Sequence, residues 1–122
     1  MTNSVMNYLK KWMDHEFLGT TTRTEDYIQF EKGFRNAVNR EAKKHGYHIC
    51  DFMPGHFECS MFLKNDESGQ YYFVSINDVR FDPIRNAKIL FRTAKDNKDF
   101  CGGYNQFAYM NSNYVHRGYG FR

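Results

Sequence analysis

The apolar positions of this chain change period once, near Gly46, and the change divides it into a helical part and a stranded part. Between Ser4 and Leu18, the residues Val5, Tyr8, Leu9, Trp12 and Met13 recur at helical spacing and leave Lys10, Lys11 and Asp14 outside. This predicts a first helix over 4–18, capped by Asn3 or Ser4 and ended by Gly19 and Thr20-Thr21-Thr22. A second, longer helix is predicted over 24–45. Thr24 serves as its N-cap, and Glu25 and Asp26 put acidic charge in the first turn, where it complements the helix dipole. Tyr27, Phe30, Phe34, Ala37, Val38 and Ala42 form its apolar face, and Gly46 stops it. Gly33 inside this helix costs about 1 kcal/mol against Ala, which predicts the close approach of another element there.

Beyond Gly46 the period becomes two. Strands are predicted over 47–53, 56–64, 71–78, 88–94 and 104–110. Pro54-Gly55 suits the centre of a type II turn, Asn65–Gln70 is a second turn, and Asp82-Pro83 breaks the chain again. The expected architecture is a single α+β domain over 1–122. Two N-terminal helices pack on one face of a four- to five-stranded antiparallel sheet. The other face then meets either water or a partner.

Composition narrows the class. A chain of 122 residues can bury a core without disulfides, and its 18% aromatic content favours a folded domain over disorder. Seventeen basic against 14 acidic residues give a net charge of +3, which permits contact with nucleic acid without demanding it. Three cysteines, an odd and small number, argue against a secreted disulfide framework and for a reducing cytoplasm. The start carries no long apolar run, so neither a signal peptide nor a membrane association is expected.

Several chemistries compete for the remaining residues. A tight hairpin at Pro54-Gly55 would set Cys50 opposite Cys59 and His48 opposite Met61. Cys50, Cys59 and His48 would then share a face, with Cys101, His45 or His56 completing a tetrahedral zinc site. No C-x-x-C or H-x-x-x-H spacing supports this, and free cysteines commonly serve as small buried hydrophobes. A structural zinc is therefore the candidate cofactor, and none is required. The stretch RTAKDNKDFCGGYNQF, Arg92–Phe107, lacks the G-x-x-x-x-G-K-[ST] order of a phosphate loop. Its reading is strand, turn, strand, with Lys95, Lys98 and Tyr104 presented between. No flanking pattern marks a nucleophile or an acid pair, so an enzyme is not expected. Basic residues interleave with aromatics in the second half, as on single-strand nucleic-acid surfaces and equally as at protein hot spots.

The segment YYFVSINDVRF followed by RTAKDNKDFCGGYNQF also resembles a family of small proteins carried by phages and other mobile elements of Gram-positive bacteria. The shared shape is Asp78-x-Arg80, then Arg92-Thr93-Ala94, Lys98-Asp99, and Gly102-Gly103-x-Asn105, covering roughly the second half of the chain. Small proteins of this size and setting are similar to anti-CRISPR inhibitors of type II Cas9 systems. That resemblance implies a non-enzymatic protein that binds a host protein or nucleoprotein complex, Cas9 among them, in the host cytoplasm. A structural metal in such a protein would agree with the cysteine and histidine content. The mildly basic charge excludes inhibition by mimicking DNA. The expected partner-binding residues are Arg80, Arg92, Lys95, Lys98 and Tyr104. The alternative is a small domain that binds single-stranded nucleic acid or RNA.

Overall fold

The structure, a computed structural model, describes residues 2–19, 24–54, 58–81, 83–101 and 104–110. Two helices, α1 (Thr2–Lys10) and α2 (Glu25–Lys43), precede five strands: β1 (Tyr47–Met53), β2 (Glu58–Asn65), β3 (Tyr71–Asn77), β4 (Lys88–Ala94) and β5 (Gln106–Tyr109). The strands form one antiparallel sheet in the order β1-β2-β3-β4-β5, so each pairs with its neighbour in sequence. This is the α+β arrangement that the change of period predicts.

The helix α2 buries the stripe its spacing defines: Tyr27, Phe30, Phe34, Ala37, Val38 and Ala42 are all fully buried. They meet Cys59, Met61 and Leu63 of β2, Tyr72, Val74 and Ile76 of β3, and Ile89 and Phe91 of β4 in one core. These strand residues alternate along each strand, as the period of two requires. Gly46, at φ +83°, turns the chain from α2 into β1. A Cβ on Gly33 would collide with the Tyr8 phenol, whose hydroxyl donates to Phe30 O at 2.9 Å. Gly33 is thus the point where α1 crosses α2, the close approach its position predicts.

The first helix is shorter than its periodicity suggests. After Lys10 the backbone tightens, with Lys11 and Trp12 donating to Tyr8 O and Leu9 O at 3.1 and 3.0 Å, and the chain leaves helix before Phe17. The cause is an aromatic stack. Trp12 lies parallel to Phe17 at 5.6 Å, and both meet Phe30 edge-on at 5.5 and 5.6 Å. Residues five apart on a helix point about 140° apart around its axis, so this stack and a continuous helix exclude each other. Asp26 fastens the segment, accepting from the Leu18 N–H at 3.0 Å and pairing with His15 at 2.9 Å.

The β1–β2 register also differs from a tight hairpin. His48 pairs with Lys64 and Ile49 with Leu63, whereas Asp51 pairs with Phe62, so a bulge falls at Cys50. Gly55, His56, Asp82, Gly102, Gly103 and everything after Met110 lie outside the described residues.

Candidate binding surface

The face of the sheet turned away from the helices carries its own small apolar cluster: Phe62, Phe73 and Ala94, with Met53, Tyr71 and Leu90 packed around it. It is covered in part by residues 95–101, which follow β4. Phe100 lays its ring over Phe62 at 5.3 Å and over Phe73 at 6.0 Å, yet stays 59% exposed.

Two residues hold this loop. Arg92 is only 3% exposed, with its guanidinium 4.6 Å from the Phe73 ring centroid. It donates to Thr93 O at 3.1 Å and to Asp99 O at 2.6 Å. Burial lowers its pKa, and the Asp99 charge acts the other way. The Asp99 carboxylate accepts from the Lys95 N–H at 2.9 Å and the Cys101 N–H at 3.2 Å. Asp96 accepts from the Lys98 N–H at 2.8 Å. The turn expected between the two strands is therefore a fastened one, whose Asp96 and Asp99 carboxylates close its own backbone amides.

The five residues expected to bind a partner divide accordingly. Lys95, Lys98 and Tyr104 are exposed, Tyr104 at 74%. Arg92 is the internal anchor just described. Arg80 has a side chain with no exposure at all. Its guanidinium donates to Asp78 at 3.0 and 2.7 Å and lies 4.2 Å from the Tyr27 ring centroid. The bond to Asp78 raises its pKa above the ordinary guanidinium value, against the effect of burial, and the buried Glu31 adds a second nearby carboxylate. Asp78 and Arg80 thus form a buried ion pair that joins the end of β3 to α2, beyond the reach of a partner. Phe100, which the spacing does not single out, joins the exposed set; the signal available in sequence was an aromatic beside the two lysines of the loop.

The expected zinc ligands do not converge. Cys59 is fully buried in the helix-side core. Cys50 sits at the bulge, exposed, its thiol donating to Phe62 O at 3.5 Å; burial of its sulfur pushes the thiol pKa up. Cys101 is exposed on the β4–β5 loop, and His48 pairs with Asp66 at 2.7 Å. The shifted register parts Cys50 from Cys59, so these four residues do not fit a tetrahedral site. Among the described residues, no three His, Cys, Asp or Glu side chains are grouped to hold a metal ion.

A cleft of about 540 Å³ opens between the β2–β3 turn and the start of the β4–β5 loop, lined by Gln70, Tyr71, Thr93, Lys95 and Asp99 among others. A second, of about 420 Å³, runs between α2 and β1 past Arg35, Asn39, Cys50 and Phe52. No described helix is long and apolar enough to cross a membrane. No protein family, curated protein or solved structure matches the chain.

Proposed function

We propose that this chain is a non-enzymatic binding protein of a phage or mobile element that engages a host nucleoprotein machine in the host cytoplasm, with Cas9 as the partner implied by the resemblance of its second half. The observation that carries the binding role is the β4–β5 loop. It presents Phe100 and Tyr104, 59% and 74% exposed, beside the exposed Lys95 and Lys98. Exposed tyrosine is enriched at interface hot spots, and rim lysines steer association with a partner of opposite charge. The anchoring of the loop by Arg92 and Asp99 supports the reading, because a fastened loop loses less entropy on docking. The naming of Cas9 rests on the resemblance alone.

Gel filtration of the chain with Cas9, alone and loaded with guide RNA, tests this. Co-elution is expected in at least one of the two states. Lys98→Glu with Tyr104→Ala should abolish it while leaving the fold intact. Absence of a complex in both states rejects Cas9 as the partner. A complex that survives the double variant rejects the loop as the contact.

A further inference from the structure

We infer that the outer face of the sheet is also a seat for a single strand of nucleic acid, whose bases stack on Tyr71 and Phe107 and whose phosphates are met by Lys64, Lys88 and Lys95. This goes beyond the protein contact proposed for the loop and does not depend on it.

The pairing register puts Lys64, Tyr71, Lys88 and Phe107 on the outer face. Lys64 pairs with Tyr71, Tyr71 with Ala94, and Phe107 with Leu90, and Ala94 and Leu90 both belong to the outer cluster. Two half-buried rings on this face each have a lysine over them. The Lys64 ammonium lies 5.4 Å from the Tyr71 ring centroid, and the Lys88 ammonium 4.8 Å from that of Phe107. Tyr71 lies opposite Ala94, and Lys88 stands at the other end of β4. Six residues of strand span about 20 Å, enough for the roughly four nucleotides of the smallest single-strand sites. The path between the two rings passes over the exposed ring of Phe100, which lies on Phe62 and Phe73.

The arrangement suits an exchange. A lysine side chain is a flexible stem with a compact charge, so its head can swing from a ring to a phosphate. The ring it leaves then accepts the face of a base, an interaction that tolerates any base because each has a π-face. At the Tyr71 end, the cleft of about 540 Å³ leaves room for this and brings Lys95 to its rim. Three of the acids on this side already have tasks. Asp99 and Asp96 accept from backbone amides of the loop, and Asp66 pairs with His48. Glu67 on the β2–β3 turn and Asp51 opposite Phe62 remain as opposing charges that the lysines and rings must outweigh, and Glu58 stands opposite Asn77 in the register of the same face. An acidic peptide would use the lysines but not the rings. A duplex hides its base faces, so it too would leave the rings without a role.

Fluorescence anisotropy of labelled 12-residue oligo(dT) and oligo(U), and of a duplex of equal length, tests the inference with the whole chain at 50 and 200 mM salt. The single strands should bind at 50 mM and lose about tenfold in affinity by 200 mM, as expected for a few phosphate contacts. Tyr71→Ala and Phe107→Ala should each weaken binding about tenfold. Tyr71→Phe, which keeps the ring, should bind like the parent. Lys64→Gln with Lys88→Gln removes charge from the surface and should flatten the salt dependence without unfolding the chain. No binding at 50 mM, equal affinity for the duplex, or unchanged affinity in both ring variants would overturn the inference. The substituted positions Lys64, Tyr71, Lys88 and Phe107 are separate from Lys98 and Tyr104, so the two surfaces, which share Lys95, can each fail alone.

Discussion

The two faces of the sheet are buried by different means. The inner face meets two helices, and its rows of Met61, Leu63, Val74, Ile76, Ile89 and Phe91 are sealed by an apolar stripe from α2. On the outer face the buried apolar residues among those described are Phe62, Phe73 and Ala94, joined by the buried polar Ser60, Ser75 and Arg92, under a loop that is held by an arginine and an aspartate and tipped by an exposed phenylalanine. Apolar packing dominates the first and polar fastening the second. Hydrophobic burial tolerates no gap, whereas a fastened loop can change its tip. The inner face should therefore carry stability and the outer face recognition.

Substitutions can break that contrast. The largest loss is expected where the helix side holds charge. Asp78→Ala removes the carboxylate to which the buried Arg80 guanidinium donates and should destabilise by about 3–5 kcal/mol in urea unfolding. Combining it with Arg80→Met should restore part of this; no recovery would mean that Asp78 acts other than by pairing Arg80. Phe34→Ala, at the centre of the α2 stripe, should also cost about 3–5 kcal/mol. On the outer face Arg92→Ala should cost about 1–3 kcal/mol, because it leaves the carbonyls of Thr93 and Asp99 without their donor. Hydrogen exchange should then show lost protection confined to 95–101. A loss as large as that of Phe34→Ala would make the outer cluster a second core and remove the contrast.

Acid offers a gentler probe of the helical side. Partial burial alone would raise the Asp26 pKa. Hydrogen bonds from Thr24, His15 and the N–H groups of Leu18 and Tyr27 outweigh it and hold the pKa at about 2 instead of 3.8. The depressed folded value means that Asp26 contributes stability above its unfolded pKa, and that this is lost as pH falls from about 4 towards about 2. Asp26→Asn should flatten that part of the stability profile. The smallest effect is expected at the recognition tip. Tyr104→Ala should change stability by less than about 0.5 kcal/mol while weakening the protein contact.

Much of the fold was legible in the sequence because it rests on local periodicity. The α2 stripe, the bounds of β1 and β4, the Asn65–Gln70 turn and the close approach at Gly33 all follow from spacing and glycine placement. What escaped was set by contacts distant in sequence or by backbone irregularity. Trp12 leaves the helical path to stack on Phe17, and nothing in the apolar period of 4–18 announces it. The bulge at Cys50 has no compositional mark, and it displaces the pairing that a zinc hairpin needs. Alternation puts Arg92 on the outer face without revealing that a loop closes over it. Arg80 looks like any surface cation until Tyr27 and Asp78 enclose it. Lys95, Lys98 and Tyr104 were legible as exposed because a turn rich in Asp, Asn and Gly leaves its long side chains nowhere else to go.

The order of the strands bears on how the molecule assembles. A sheet in which every strand pairs with its predecessor can grow one hairpin at a time, and short connections close cheaply. The connections after β1 and β2 are brief, those after β3 and β4 are longer, and residues 95–105 must close before β5 can add to β4. The segment that displays Lys98 and Tyr104 is thus expected to become ordered last, on a framework already complete through β4. Variation in its length would then slow the final step and spare the ones before it, which leaves room to reshape the contact surface without redesigning the scaffold.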